Sequence, residues 1–196
     1  FLRMLFARPS EDYEINPVPV LPPRKPEGHK GSFGEVLVVA GAAFYYGAPA
    51  LCAGSFLRTG GGYSRLAAVE GVVRSIAGDN PEIVYMPQPA TPAGSIDPSC
   101  ADSLVETAGG ADFVVAGPGL GREVGTEELV LELVRRVEKP LLLDGDGLYA
   151  VRNSADTVAG RKAPTLLTPH PGEMGRLLDR PVPEILGDPA GAVREA

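Results

Sequence analysis

An α/β fold with a mostly parallel central sheet is predicted by three features of this sequence. Continuous apolar runs recur at Val36–Ala40, Asp112–Ala116 and Leu141–Leu143, and strands that lack polar alternation are buried on both faces. Helical patterns lie between them, most clearly Leu129, Val130, Leu133, Val134 and Val137, which share one face at a 3.6-residue period. Each run also stops in a loop rich in Gly, Pro or Asp. Strands alternating with helices at this spacing give a parallel sheet covered on both sides.

In chain order, residues 1–27 carry the Pro-rich run Asn16–Pro26, the composition of a semi-rigid linker or arm, and the domain proper is expected over 28–196. After the first strand, Ala48-Pro49 opens a helix in which proline near the first position is well placed. Gly60-Gly61-Gly62 ends it. Tyr63–Ala68 reads as a strand, Glu70–Ala77 as a short helix and Glu82–Met86 as a strand, followed by an irregular loop over Pro87–Pro98. Ser99–Ala108 reads as a helix. Thr126 is the expected N-cap of the next one, with Glu127 and Glu128 in its first turn, where the helix dipole favours them. Pro140 stops that helix. Thr165–Leu167 is expected as a short buried strand ending at the corner Pro169-His170-Pro171, after which Met174, Leu177 and Leu178 share a helical face.

Composition narrows the function classes. The 196 residues suffice for one domain with a sizeable core. A net charge of −7 without a basic cluster argues against nucleic-acid or anionic-membrane binding. No apolar run approaches the length of a membrane span. Cys52 and Cys100 are isolated, with no CxxC, and read as two buried thiols of a reducing cytoplasm. Position 1 is not Met, which points to a chain that begins inside a longer product.

The loops Gly41–Gly47, Gly117–Gly121, Asp144–Gly147 and Thr168–Glu173 all follow strands and open at one edge of a parallel sheet, where such sheets bind ligands. Their glycines let backbone N–H groups approach a ligand, and helix N-termini beside them favour phosphate. Taken singly, each group has a plain alternative. Gly117-Pro118-Gly119-Leu120-Gly121 is a ligand loop or a tight turn; it is neither a Walker A loop nor GxGxxG, since Arg122 takes the last glycine's place. Asp144 and Asp146 orient a metal-bound water or cap a helix. Glu173 complements a helix dipole, and His170 is a ligand group or caps its turn.

As an ordered set the motifs are specific. His29-Lys30-Gly31-x-x-Gly34 with Val36–Gly41 and Tyr46-Gly47-Ala48, then Gly117–Gly121, Asp144–Leu148 and Thr168-Pro169-His170-Pro171-Gly172-Glu173, resembles the NAD(P)H-hydrate dehydratase family over about residues 28–180. That resemblance implies a ribokinase-like three-layer α/β/α sandwich. It also implies repair of hydrated NADH and NADPH, with ADP or ATP donating a phosphoryl group to the C6 hydroxyl and Mg2+ assisting. Phosphate then leaves where hydroxide would leave poorly. By motif match, Tyr46, Gly47, Ala48, Gly117, Gly119, Gly121 and His170 contact the dinucleotide, and Asp144, Asp146 and Glu173 lie near the phosphates and metal.

The family's catalytic aspartate sits on a glycine-rich loop after the Thr168–Glu173 helix. No such loop is present up to Ala196, so no catalytic base is assigned and the domain is expected to lack its C-terminal part. The resemblance further implies a homo-oligomer and, for residues 1–27, an origin beside a preceding epimerase domain. Two other readings stand beside it: a small-molecule kinase of the same superfamily acting on a vitamin precursor or sugar, and a non-catalytic nucleotide-binding module.

Overall fold

The first strand, β1 (Glu35–Val39), lies at the centre of the sheet because four of its five residues are buried. The structure, a computed structural model, describes residues 23, 24 and 26–196; most of the 1–27 arm therefore lies outside the described residues. From β1 the chain runs through α1 (Gly47–Arg58), β2 (Tyr63–Val69), α2 (Glu70–Ile76), β3 (Val84–Gln88), α3 (Ala101–Gly110) and β4 (Phe113–Ala116). It continues through α4 (Val124–Arg136), β5 (Leu141–Leu143), α5 (Asp146–Val151), α6 (Ala155–Ala159), β6 (Thr165–Leu167), α7 (Pro171–Leu177), α8 (Val182–Gly187) and α9 (Pro189–Glu195).

The strand order is β3-β2-β1-β4-β5-β6 and every pairing is parallel. Strand order therefore reverses between β1 and β4, and the crevice at the carboxyl ends of these two strands is the expected ligand position in a doubly wound sheet. The register fixes the faces. Val38, Val115, Leu142 and Leu166 form one row; Val39, Ala116, Leu143 and Leu167 form the row on the opposite face. α1 packs on β1 and β2. On the other face Leu141 and Leu143 are fully buried, as are Leu129, Val130, Leu133 and Val134 of α4.

Several boundaries differ from the sequence reading, each for a local reason. α4 begins at Val124 with Glu123 as its N-cap, so Thr126 is not the cap. Thr126 is buried, and its hydroxyl donates to the Leu120 carbonyl at 3.4 Å. β3 extends through Pro87, expected in a loop; among the described residues β3 is an edge strand, the place where a sheet tolerates proline. β6 is not buried: Leu166 is 55% exposed, on the edge strand and on the face that α1 covers only over β1 and β2. Cys100 is buried as expected, but Cys52 is only partly so.

Arg161 is a fold element that its sequence context conceals. It donates to the carbonyls of Val134, Val137 and Lys139 at 2.6–2.9 Å and to the Thr165 hydroxyl at 2.8 Å, tying the end of α4 to β6. Partial burial lowers its pKa, as desolvation does for a cation. Arg161→Met keeps much of the apolar stem and removes every donor. It is expected to lower unfolding free energy by about 2 kcal/mol, read by urea denaturation; a loss below about 0.5 kcal/mol would show that the carbonyls find water instead.

Candidate functional site

Two loops meet at the switch point and are bonded to each other through the backbone. Gly41 N donates to the Pro118 carbonyl at 3.0 Å, and Gly117 N to the Val39 carbonyl at 3.1 Å. Gly117 has φ +130, a conformation open to glycine, and a Cβ there would collide with the Asp144 carbonyl oxygen and with Gly147. The chain after β4 therefore lies directly against the chain after β5. Gly119 continues this close approach: a Cβ on it would come within 2.8 Å of the Tyr45 Cβ and 3.5 Å of the Ala48 Cβ. Tyr45 and Ala48, on either side of Tyr46 and Gly47 at the start of α1, thus adjoin the glycine loop.

The carboxylates are placed in three different ways. Asp146, at the start of α5, accepts from Gly121 N at 3.0 Å and from Arg122 Nε at 2.7 Å. Its side chain is 12% exposed, and it holds the glycine loop in shape. Glu173 is buried and accepts one hydrogen bond from His170, from its backbone N at 2.9 Å, while the ring Nε2 lies 3.2 Å from its other oxygen. Asp144 accepts from the Thr168 hydroxyl at 2.7 Å through Oδ1. Asp144 and Glu173 each keep one oxygen with no hydrogen bond among the described residues, but that of Glu173 is buried and faces His170 Nε2 at 3.2 Å, while that of Asp144 has no such partner.

His170 is the N-cap of α7. Its Nδ1 accepts from Gly172 N at 3.0 Å, while Nε2 lies 3.2 Å from Glu173 Oε1. Nδ1 is engaged within the corner and Nε2 lies beside Glu173, yet the side chain is 62% exposed, so the imidazole presents its face and edge to the outside. The capping alternative thus describes its hydrogen bonds, and a ligand contact remains open to its exposed surface.

A cleft of about 670 Å3 runs along the sheet face beside α1. Val38, Phe56, Val115 and Leu142 form its apolar wall, with Cys52, Asp144 and Thr168 also lining it. Burial, and secondarily the Asp144 charge, push the Cys52 thiol up to about 11. Folding therefore keeps it protonated across the window from its ordinary value of 9.0 up to about 11. Since only thiolate reacts, iodoacetamide labelling of Cys52 at pH 8 in a Cys100→Ser background is expected to be about 100-fold slower than in urea. Its rate should keep climbing about tenfold per pH unit beyond pH 9, where the unfolded thiol levels off. Labelling as fast in the folded as in the unfolded chain would contradict this placement.

The donor set suits Mg2+ in one way only. Among the described residues no group of three or more His, Cys, Asp or Glu side chains converges, so a cage made wholly of protein is not built. Mg2+ is commonly held by one or two carboxylates together with nucleotide phosphates, and the uncommitted oxygen of Asp144 fits that role. Arg122, Thr168 and Cys52 were not singled out as site residues from the sequence. Of these, only Thr168 carried a signal, as the first residue after a strand and of the Pro-His-Pro corner.

No helix of the described residues is long and apolar enough to cross a membrane. A family model for NAD(P)H-hydrate dehydratase matches residues 36–196. The chain is 46% identical over 180 residues, 92% of its length, to the bifunctional NAD(P)H-hydrate repair enzyme of Thermofilum pendens, of which it covers 34%. It is 40% identical over 168 residues, 86% of its length, to that of Moorella thermoacetica, of which it covers 32%. The chain thus spans about a third of the length of these curated relatives. Among solved structures it superposes on the ADP/ATP-dependent NAD(P)H-hydrate dehydratase from Bacillus subtilis, co-crystallized with ATP/Mg2+. The TM-score is 0.70 at 28% identity, covering 89% of this chain and 58% of that one. The six parallel strands, the glycine loops at the switch point and the match over residues 36–196 make this chain a member of the NAD(P)H-hydrate dehydratase family.

Proposed function

We propose that the protein dehydrates hydrated NADH or NADPH in a nucleotide-dependent reaction, returning the reduced dinucleotide. The observation that carries this reading is the crowding of Gly117 against the Asp144 backbone at the switch point. It sets a glycine loop beside a carboxylate with one free oxygen. Tyr46, Gly47, Ala48, Gly117, Gly119 and Gly121 line the dinucleotide, and His170 lends its exposed ring. Asp144 would hold Mg2+ alongside the nucleotide phosphates, and the metal would there supply neutralisation of phosphate charge. Asp146 and Glu173 act at one remove, by fixing the glycine loop and the His170 corner.

The C6 hydroxyl of the hydrated ring takes the phosphoryl group, and loss of phosphate restores the ring's double bond. No residue of this chain is assigned as the base that deprotonates the hydroxyl. The neighbour co-crystallized with ATP/Mg2+ supports both the nucleotide and the metal. A homo-oligomer in the cytoplasm, with residues 1–27 as a linker to a preceding domain, belongs to the same reading. The preceding domain is supported by relatives that are bifunctional and about three times as long as the matched segment.

The test follows oxygen. With 18O at the C6 hydroxyl of the hydrate, the C6–O bond breaks on elimination, so the label should emerge in inorganic phosphate. Label found in water would contradict a phosphorylated intermediate.

A further inference from the structure

A second cleft, of about 290 Å3, opens at the carboxyl edge of the sheet on the wing away from Asp144 and Thr168. Tyr46, Glu70, Gly71, Gln88, Ala90 and Gly94 line it, the chain following β2 and β3 making one wall and the chain following β1 the other. Its volume is near the lower bound of ligand clefts, about 300 Å3. The rim is fixed by backbone bonds: Ala43 N donates to the Gly94 carbonyl at 2.8 Å, and Gly94 N to the Thr91 carbonyl at 2.9 Å. Tyr46 is 40% exposed, and Phe44, 87% exposed, stands two residues before it at φ +75, a conformation bulky residues seldom adopt.

The chemistry of the lining discriminates between ligands. No Lys or Arg lines the cleft, and Arg74, which stands beside it, is paired with Glu70, so no free cation of the lining answers a phosphate group. An aromatic face and hydrogen-bonding side chains are present instead. Gln88 donates through Nε2 to the Met86 carbonyl at 3.0 Å, and no described residue donates to its Oε1, which leaves an acceptor for an amino group. Glu70, whose Oε1 is taken by Arg74, keeps Oε2 to accept from a ribose hydroxyl. Such a set suits an uncharged, flat, amino-bearing heterocycle on a sugar.

Resting on the dehydratase reading, we infer that this cleft binds the adenosine half of the hydrated dinucleotide. Tyr46 belongs both to the proposed dinucleotide surface and to this cleft. A substrate whose reacting ring lies towards Asp144 therefore reaches the cleft by crossing the ends of β4 and β1. The adenosine of the phosphoryl donor is a second source of the same chemistry, and the test separates the two.

Gly71 offers a gentle way to fill the cleft. A Cβ there meets nothing within 4 Å, and the residue lies in the first turn of α2, where leucine is a better helix former than glycine. Gly71→Leu in the complete gene product should therefore fold as the parent does, checked by an unchanged melting temperature. Its KM for hydrated NADH is expected to rise at least tenfold with kcat within twofold, while its KM for ADP or ATP stays put. Turnover of hydrated nicotinamide mononucleotide, which has no adenosine half, should be equal in the two proteins. A rise confined to the KM of the donor would overturn the assignment in favour of the donor's adenosine, and unchanged KM values would overturn it altogether. Calorimetric titration with adenosine monophosphate stands apart from turnover: at least tenfold weaker binding by the variant supports the cleft as an adenosine site, and equal binding rejects it. Absence of turnover with every hydrate would count against the dehydratase reading itself, and the titration would still decide whether the cleft takes adenosine.

Discussion

Replacing Gly117 with alanine is expected to lower unfolding free energy by about 3 kcal/mol or more, about a 100-fold shift in the folding equilibrium. Two costs combine. The backbone must hold φ +130 with a side chain attached, and the new Cβ must displace the Asp144 carbonyl or Gly147, neither of which is the end of a flexible side chain. The carbonyl cannot retreat freely, because it accepts from Gly147 N at 2.9 Å and so holds the start of α5. Urea denaturation at unchanged slope is the measurement. A variant within about 0.5 kcal/mol of the parent would mean that the β4 and β5 loops are not pressed together. The same substitution should also abolish hydrate turnover, since it moves the glycine loop and Asp144 apart.

The second large effect is on chemistry and should leave stability nearly untouched. Asp144→Asn keeps an acceptor for the Thr168 hydroxyl, whose bond to Oδ1 is 2.7 Å long, and removes the negative charge offered to Mg2+. The expected result is a fall in kcat of about 100-fold, with half-maximal rate reached only at higher Mg2+ concentration. A kcat within twofold of the parent would remove Asp144 from the metal and phosphate role. Asp146 provides the contrast. Both its oxygens are taken by Gly121 and Arg122, so its substitution should act through the shape of the glycine loop, with no change in Mg2+ dependence.

The two aspartates also show where the sequence stops informing. Asp144 and Asp146 stand two positions apart in one motif, and nothing in their spacing tells which is free. That is settled by Arg122 and Thr168, distant along the chain and near in space. The strands were legible because burial on both faces forces a composition: Val36–Val39, Phe113–Ala116 and Leu141–Leu143 could hardly be anything else in a protein of this size. Leu166 misled for the same reason, since an apolar residue does not reveal whether its sheet face has a cover. Pro87 and Thr126 misled because each has a role that depends on place, an edge position for one and a buried carbonyl partner for the other. His170 was legible as a corner residue, and its dual tie to Gly172 and Glu173 emerged only with the helix that follows it.

The most direct measurement of the central claim is the return of reduced-nicotinamide absorbance. The complete gene product would be mixed with hydrated NADH, Mg2+ and either ADP or ATP, and a His170→Ala variant run alongside. The account predicts recovery that requires one of the two nucleotides and a higher KM for the hydrate in the variant. No recovery with either nucleotide, from folded protein, would contradict it.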